Sequence, residues 1–312
     1  MKNKFLVLFL LVATTLCGCG GGGGGGGGGG STPGGGGLTV SVFSSGDRLN
    51  GPRHMVFYGG NLYVANQGGN NVLKIDSQGV QSERLTGITN PVGLTTDGAD
   101  FFISGTVAGT GQGIFPFSVT AGSVLRARFA ACNCYGLVAT PTTAVVASTG
   151  RLYAVEQTNN EVNVYRSGSV LVANPSVANK PTGLGIFGTS VYVTRFDVTT
   201  MTVIDAAYSP STFVGPNALL NHPNGIAVNQ TNGDMYVVNE GTPGAAKGTA
   251  GASTVLKITS AGVVSEFLSI SDGLCSATGV AISGNALYVS NGDCASGATA
   301  AEKNYILKVS PI

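Results

Sequence analysis

The sequence predicts an all-β fold, a six-bladed β-propeller made of four-stranded antiparallel blades. A short run of alternating apolar residues recurs six times along the chain, which indicates the second strand of six similar blades. The spacing between copies is roughly 40–50 residues, the length of one propeller blade. The six copies are residues 62–66, 101–105, 152–156, 191–195, 235–239 and 287–291.

Residues 221–268 show the whole blade pattern in its clearest form. They contain four short apolar runs separated by Gly, Asn and Pro, which is typical of an antiparallel meander. A third-strand sequence, nearly identical in three copies, follows the second strand at 71–76, 254–259 and 305–310. The predicted first strands begin near Pro52, Pro91, Tyr135, Pro181, Pro223 and Thr278.

The two chain ends are predicted to meet in the last blade. The chain stops at Ile312, directly after the third strand of the sixth copy, so that copy lacks a fourth strand. One alternating run at the other end, residues 38–44, has no blade of its own. We therefore predict that this N-terminal strand pairs with the last blade and closes the ring, which removes an exposed sheet edge.

The N-terminal residues have the features of an export signal. Lys2 and Lys4 precede a short apolar core, too short to span a bilayer, so residues 1–18 are predicted to be a signal peptide. The sequence Leu16-Cys17-Gly18-Cys19 resembles a bacterial lipobox, which implies that Cys19 carries the lipid. A cleaved secretory signal with incidental cysteines is the alternative.

Residues 19–37 combine this cysteine with an almost pure glycine segment that buries no apolar area and is predicted to be a flexible tether. The propeller domain is predicted to span residues 38–312. Gly20 directly after the cysteine favours, by resemblance to Gram-negative lipoproteins, anchoring of the protein to the outer membrane of the cell envelope. Membrane attachment through Cys19 is thus one predicted interaction of the chain.

The charge content argues against nucleic acid as a partner. Only 10% of the residues are charged and the net charge is +1, with no basic patch interleaved with aromatic residues. We expect a monomer that binds a protein, a glycan or a small molecule, and the sequence does not rank these ligands.

Four cysteines remain after export, an even number that indicates disulfides in an oxidising compartment. Cys275 precedes a first strand and Cys294 follows a second strand of the same blade. Those connections emerge on the same face of a meander, which predicts a Cys275–Cys294 bridge. Cys132 and Cys134 either pair with each other or stay reduced, and a metal site there lacks a second cysteine pair and a nearby histidine.

Ligands of a propeller are expected at the mouth of its central channel, where the links into the first strands meet the loops that follow the second strands. Polar residues at these positions are candidates for binding, although Asn and Asp at strand ends also satisfy local backbone groups. The loops of blades five and six are long, which favours function or a mobile flap. The candidates are His54, Asn66, Glu156, Arg195, Asn224, Asn239, Glu240, Asn291 and Asp293.

Pro223-Asn224-Gly225 with Met235-Tyr236-Val237-Val238-Asn239 resembles an NHL-type repeat and the blades of the six-bladed gluconolactonase (senescence-marker-protein) superfamily. That resemblance implies a divalent metal such as Ca²⁺ in the channel, held by acidic and Asn side chains, two of them at the middle position of this motif. Asn224 matches one of them. The other five middle positions hold no acid: Arg53, Val92, Tyr135, Thr182 and Thr278.

We therefore expect a lipid-anchored, extracytoplasmic propeller that acts as a non-catalytic binding or interaction module without a cofactor. The chain has no Gly-x-Ser-x-Gly elbow, and two histidines leave little for a Ser-His-Asp arrangement, so no catalytic residue is assigned. The alternative is a metal-dependent lactonase or esterase of the gluconolactonase type with relocated ligands. A structural surface protein without a ligand is a third interpretation.

Overall fold

A computed structural model describes residues 37–46, 48–120, 124–140, 150–166, 169–241, 253–292, 294 and 303–312. The predicted signal peptide, the lipidated Cys19, the glycine tether up to residue 36, Asp293 and most of the two long loops lie outside these residues. No helix in the described ranges is both long and apolar enough to cross a membrane.

The described residues form a six-bladed β-propeller, as predicted. Each blade is an antiparallel sheet whose strands follow one another in sequence from the channel outwards, except that the outermost strand of blade six is the N-terminal strand of the chain. Blade one contains β2 (Pro52–Tyr58), β3 (Asn61–Asn66), β4 (Asn71–Ile75) and β5 (Gln81–Leu85), and blade two contains β6 (Leu94–Thr96), β7 (Asp100–Val107) and β8 (Gly111–Ser118). Blade three contains β9 (Cys134–Ala139), β10 (Leu152–Glu156), β11 (Glu161–Arg166) and β12 (Val170–Ala173). Blade four contains β13 (Pro181–Phe187), β14 (Ser190–Arg195), β15 (Met201–Ile204) and β16 (Pro210–Val214). Blade five contains β17 (Pro223–Val228), β18 (Met235–Asn239), β19 (Thr254–Ile258) and β20 (Val264–Leu268). Blade six contains β21 (Ala277–Ser283), β22 (Ala286–Asn291), β23 (Tyr305–Ser310) and β1 (Thr39–Ser45).

Blade two differs from the others at its outer edge. Its fourth position is occupied by a segment that makes only isolated bridges to β8, Ile114 with Ala130 and Phe117 with Leu125. The amide of Phe129 donates to the carbonyl of Ile114 at 2.7 Å, so the segment still satisfies part of the β8 edge.

The N-terminal strand closes the ring, which confirms the prediction for residues 38–44. β1 pairs antiparallel with β23, from Thr39 opposite Ser310 to Ser45 opposite Tyr305. The ring of Phe43 packs edge-on against Tyr288 with centroids 5.0 Å apart. Both chain ends are thus held in one sheet, and the edge of β23 is covered.

Six apolar cores lie between neighbouring blades. Each core combines buried side chains from two adjacent sheets; the core between blades six and one, for example, contains Leu62 and Ile75 from blade one and Tyr288 and Ile306 from blade six. Alternate residues of every inner strand enter the core on either side, because successive side chains of a strand point to opposite faces. This arrangement places the inner strands around a central channel.

Aspartates shape equivalent turns between third and fourth strands. In blade one, the Asp76 carboxylate accepts the amides of Gln78 and Val80 at 2.9 and 3.0 Å. The Asp205 carboxylate makes the same pair of contacts in blade four, at 2.9 and 2.8 Å. These turns follow directly from the tendency of Asp to bind backbone amides just ahead of it in the chain.

Two disulfides are present among the described residues. Cys275 and Cys294 are bonded, as predicted, with their Cα atoms 5.5 Å apart. Cys132 and Cys134, left open by the sequence, are bonded to each other with Cα atoms 5.2 Å apart. Both bonds lie on the face where second strands end, beside the entry to an inner strand.

Candidate functional site

The inner strands approach one another most closely near their first residues, at a glycine in five of the six blades. A Cβ added at Gly136 would lie 2.2 Å from the carbonyl oxygen of Thr182 in the next blade. The corresponding distances for all five glycines are between 2.1 and 2.5 Å, far too short for any side chain. We call this set the glycine ring: Gly93, Gly136, Gly183, Gly225 and Gly279, with His54 at the sixth position in blade one.

Hydroxyl groups connect every second blade to the next one. In blades two, four and six, a second-strand hydroxyl accepts the amide hydrogen of the ring glycine in its own blade at 2.8 Å. The same hydroxyl donates to a backbone carbonyl of the following blade. The three pairs are Ser104 with Tyr135 at 3.5 Å, Thr194 with Asn224 at 2.5 Å and Ser290 with Arg53 at 3.0 Å. The carbonyls held in this way belong to the residues whose polar side chains occupy the channel mouth.

Four polar side chains form a cluster at this mouth, which we call the mouth cluster: Arg53, Tyr135, Asn224 and Glu240. The Asn224 amide nitrogen donates to the Glu240 carboxylate at 2.6 Å. Another oxygen of Glu240 lies 3.7 Å from the Arg53 guanidinium, whose Nε donates to Gln67 at 2.5 Å. The three inner-strand residues come from blades one, three and five and converge because each occupies the second position of the blade repeat.

Asn224 has an unsatisfied acceptor in the mouth cluster. Its side chain is 1% exposed, and its Oδ1 has no hydrogen-bond partner among the described residues, whereas its Nδ2 is bound to Glu240. A buried amide oxygen without a partner costs about 1–3 kcal/mol. A hydrogen-bond donor that reached this oxygen, which has less than 1 Å² of accessible surface, would recover that free energy.

The Tyr135 phenol is a neutral donor in the cluster. Burial raises its pKa, the Arg53 guanidinium lowers it, and the Glu240 carboxylate raises it. The net direction is upward, so the hydroxyl keeps its proton at neutral pH. The site therefore combines one fixed cation, one carboxylate, one neutral hydroxyl and one unpaired amide oxygen.

His54 lies between the mouth cluster and the channel interior. Its imidazole packs edge-on against Tyr135, with ring centroids 6.4 Å apart, and also lines the cavity on the other side of the glycine ring. Burial, and then the positive charge of Arg53, lower its pKa from 6.5 to about 4. The imidazole is therefore neutral at pH 7.

We expect His54 to make stability fall with acidification between about pH 6.5 and pH 4. Because the pKa is lower in the folded state, the unfolded chain binds the proton first as the pH falls. The lowering from 6.5 to about 4 corresponds to at most about 3 kcal/mol of stability, less for this half-buried side chain, which is complete above pH 6.5 and mostly lost by pH 4. Urea unfolding at pH 7, 5.5 and 4 gives the free energies of unfolding of the wild type and His54→Gln. The change with pH in the difference between these two free energies measures the loss.

The same variant identifies the His54 signal in an NMR titration of imidazole-labelled protein, which contains only two histidines. A His54 pKa near 6.5, or parallel pH dependence of the two proteins, would show that the imidazole is not desolvated in the folded state.

The structure brings three predicted candidates together, His54, Asn224 and Glu240, and places three others within their own blades. Asn66 accepts the amide of Asn50 at 2.7 Å and donates to the Arg48 carbonyl at 2.8 Å. Asn239 contacts Asn221 and Leu219 in the same way, and Asn291 contacts Cys275. Each of the three asparagines thus binds the segment that leads into the first strand of its own blade. These bonds give the side chains a structural role, and ligand binding by them stays a prediction.

Glu156 and Arg195 also have local contacts. The Glu156 carboxylate accepts the amides of Asn133 at 2.8 Å and Thr158 at 3.3 Å. Arg195 contacts the Thr200 hydroxyl, and its buried Nε has no hydrogen-bond partner in the described part of the chain. Asp293 lies outside the described residues.

The mouth cluster does not fit a divalent metal of the kind that the gluconolactonase resemblance implies. Asn224 and Glu240 offer oxygen atoms, but the carboxylate is already bound to the Asn224 amide and faces the Arg53 guanidinium. A hard cation takes six to eight oxygen ligands, preferably with several carboxylates. A metal here would lie beside a fixed positive charge with one carboxylate to balance it.

A second group with metal-ligating atoms consists of Cys132, Cys134 and Glu156, whose ligand atoms lie within 4.8 Å of one another. The two sulfur atoms are bonded to each other, so neither is a thiolate that could bind a metal. The Glu156 carboxylate instead holds the loop that contains the disulfide through the Asn133 amide.

Arg53 and Tyr135 were missed as candidates by the sequence analysis. Both appeared there only because they align with Asn224, the middle residue of Pro223-Asn224-Gly225, and carry no acid that could bind a metal. A signal for them was available, since these positions align with Asn224 in the repeat. The glycine ring had a similar signal, because the next position is glycine in every blade except the first, where it is His54.

No known protein-family model and no curated protein sequence matches the chain. Solved structures with the same fold include an auxiliary nutrient binding protein from Bacteroides thetaiotaomicron, at 12% identity and a TM-score of 0.64, over 88% of this chain and 76% of that one. A gluconolactonase from Xanthomonas campestris is similar at 15% identity and a TM-score of 0.61, over 88% and 90% of the two chains. A virginiamycin B lyase from Staphylococcus aureus is similar at 13% identity and a TM-score of 0.58, over 88% and 100%. These similarities show the fold.

Proposed function

We propose that this propeller is a binding module that holds a small polar ligand in the mouth cluster. The observation that carries the proposal is the buried, unpartnered Oδ1 of Asn224, whose Nδ2 binds the carboxylate that faces the Arg53 guanidinium. A ligand that donates to this oxygen and accepts from Arg53 would satisfy both groups. Molecules with several hydroxyl groups offer donors and acceptors together, so sugars and sugar acids are the proposed ligand class.

Two features support binding rather than hydrolysis. Arg53 supplies a permanent positive charge where a metal enzyme would need a cation, and Glu240, the carboxylate of the mouth cluster, is already engaged with Asn224 and Arg53. The similar structures include both a nutrient binding protein and a gluconolactonase. The metal-dependent hydrolase is kept as the alternative because Asn224 occupies the position expected for a metal ligand.

Titration calorimetry of residues 37–312 with D-glucose and D-gluconate, as the neutral and anionic members of a sugar panel, tests the proposal. We expect saturable binding by at least one member, and at least tenfold weaker binding for Asn224→Ala and for Arg53→Gln, because each loses a hydrogen bond to the ligand. Lys180→Gln is the matched control. It removes a positive charge beside Asp197, on a side chain that is 49% exposed and outside the cluster.

Binding that is unchanged in both cluster variants would overturn the proposed site, and so would the absence of binding across the panel. Elemental analysis of the dialysed protein tests the alternative function, the metal-dependent hydrolase. One equivalent of a divalent metal, together with hydrolysis of a lactone or ester, would establish the hydrolase in place of the binding module.

We further propose that Cys19 anchors the module to the outer membrane of a bacterial cell envelope. The support is the lipobox-like sequence followed by a glycine tether. More than one acyl chain is needed to hold a protein stably on a membrane, and a protein without a lipid anchor is released. We expect Cys19→Ala to move the protein from the membrane fraction to the soluble fraction, with Cys17→Ala as the matched control that leaves it in place. A membrane-bound Cys19→Ala protein would argue against lipidation at this residue.

A further inference from the structure

The channel contains a second compartment beyond the glycine ring. A cavity of about 520 Å³ extends from His54 towards the opposite ends of the inner strands, where Tyr58, Gly98 and Gln230 line it. Residues from the inner strands of all six blades contribute to its wall, whereas Arg53, Tyr135, Asn224 and Glu240 do not. The cavity is therefore distinct from the mouth cluster.

The wall of this cavity is uncharged. No Asp, Glu, Lys or Arg is among the described residues that line it, and most of its side chains are aliphatic or aromatic, including Met55, Phe57, Ile186, Ile226 and Ile282. Transfer of an ion into such a wall would be strongly unfavourable without a partner. The volume lies within the range of about 300–1,000 Å³ that is typical of sites for small molecules.

His54 separates the two compartments. The inner strands of the other blades come together at glycines, so that no side chain fits between them. At the junction of blades one and two, the His54 amide faces the Val92 carbonyl at 3.4 Å and the imidazole stands in the channel. The burial of the imidazole keeps its pKa low, so it presents a neutral ring to the cavity.

We infer that this inner compartment is a second binding site, for an uncharged and mainly apolar small molecule that packs against the inner strands and reaches the His54 imidazole with one polar group. Burial of apolar surface against the wall supplies the affinity. The imidazole, as the polar side chain at the inner end, supplies orientation. The site is independent of the ligand proposed for the mouth cluster.

The test uses N-phenyl-1-naphthylamine, an uncharged probe whose fluorescence rises in apolar surroundings, with residues 37–312. We expect saturable binding of one probe per chain. Ala227 lines the cavity in blade five, and two substitutions there should act through different causes. Ala227→Leu fills the cavity and Ala227→Asp places a charge in it, so each should weaken probe binding at least tenfold.

Val263→Asp is the matched control, because it adds the same charge in the same blade at a position that is 63% exposed. It should leave the affinity within twofold of the wild type. Ala227→Leu keeps the test decisive if the aspartate variant does not fold. Probe binding that survives Ala227→Leu would overturn the inference, as would the absence of saturable binding to the wild type.

A second readout locates the probe. With imidazole-labelled histidine the chain gives two signals, from His54 and His222. His222 packs against Phe196, with ring centroids 4.7 Å apart, and does not line the cavity. The probe should shift the His54 signal and leave that of His222 in place. A shift of His222 alone would place the probe outside the inner compartment and contradict the inference.

Discussion

A chain that begins at Ser45 will fail to form a stable propeller, whereas one that begins at Gly37 will fold. The shorter chain keeps only Ser45 of β1, so it loses five of the six residue pairs that join β1 to β23, together with the packing of Phe43 on Tyr288. At about 1 kcal/mol for each hydrogen bond and about 1 kcal/mol for the partly buried Phe43 ring, the loss is about 5 kcal/mol or more. Since domains are stable by about 5–15 kcal/mol, most of the stability disappears.

Urea unfolding followed by circular dichroism compares the two chains. The chain that begins at Gly37 is the matched control, because it lacks the same N-terminal residues except for β1. A peptide of residues 37–46 added to the shorter chain should restore part of the lost stability by pairing with the free edge of β23. Equal urea midpoints for the two chains would contradict a stabilising role for the closure.

Replacement of Gly279 by alanine will have the next largest effect. The added Cβ would lie 2.1 Å from the carbonyl oxygen of Arg53 in blade one, so the two inner strands must move apart. The Ser290 hydroxyl, which binds both the Gly279 amide and the Arg53 carbonyl, would then lose its geometry. Overpacking of this kind typically costs about 1–3 kcal/mol, and the weakened hydroxyl contacts put the expected loss at about 3 kcal/mol.

Gly215→Ala is the matched control for this substitution. A Cβ at Gly215 has no atom within 4 Å, and its backbone is not in the left-handed region, so the change should be neutral or slightly stabilising. Thermal unfolding of the two variants beside the wild type measures the difference. If Gly279→Ala unfolds at the same temperature as Gly215→Ala, the inner strands are not in close contact at the glycine ring.

The fold could be predicted from the sequence because its information is local and repeated. Alternating runs such as residues 235–239 indicate strands wherever they occur, and six copies fix the number of blades. Ring closure followed from a missing fourth strand in the last copy of the repeat and one spare strand, residues 38–44, at the N-terminal end. The outer edge of blade two was less predictable, since the segment 125–130 satisfies β8 with isolated bridges rather than a regular strand.

The site was harder to predict, because its residues meet across the ring and not along the chain. Asn66 and Asn224 look alike in the sequence, as asparagines near one terminus of a strand, Asn66 at the end of a second strand and Asn224 at the start of a first strand. The structure distinguishes them through their partners, since Asn66 binds the backbone of its own blade and Asn224 binds the side chain of Glu240. The role of His54 depends on the five glycines that share its level, which are spread over most of the chain.

The junction between blades six and one also determines when the mouth can form during folding. The hydrogen bond from Ser290 to the Arg53 carbonyl joins residues 237 positions apart, and the Gly51 amide donates to Asn304 at 2.8 Å across 253 positions. Contacts this distant in sequence are slow to form and depend on almost the whole chain. Arg53 therefore reaches its place beside Glu240 only after the last blade has been made and has joined the first, so an incomplete chain presents no assembled mouth to a ligand.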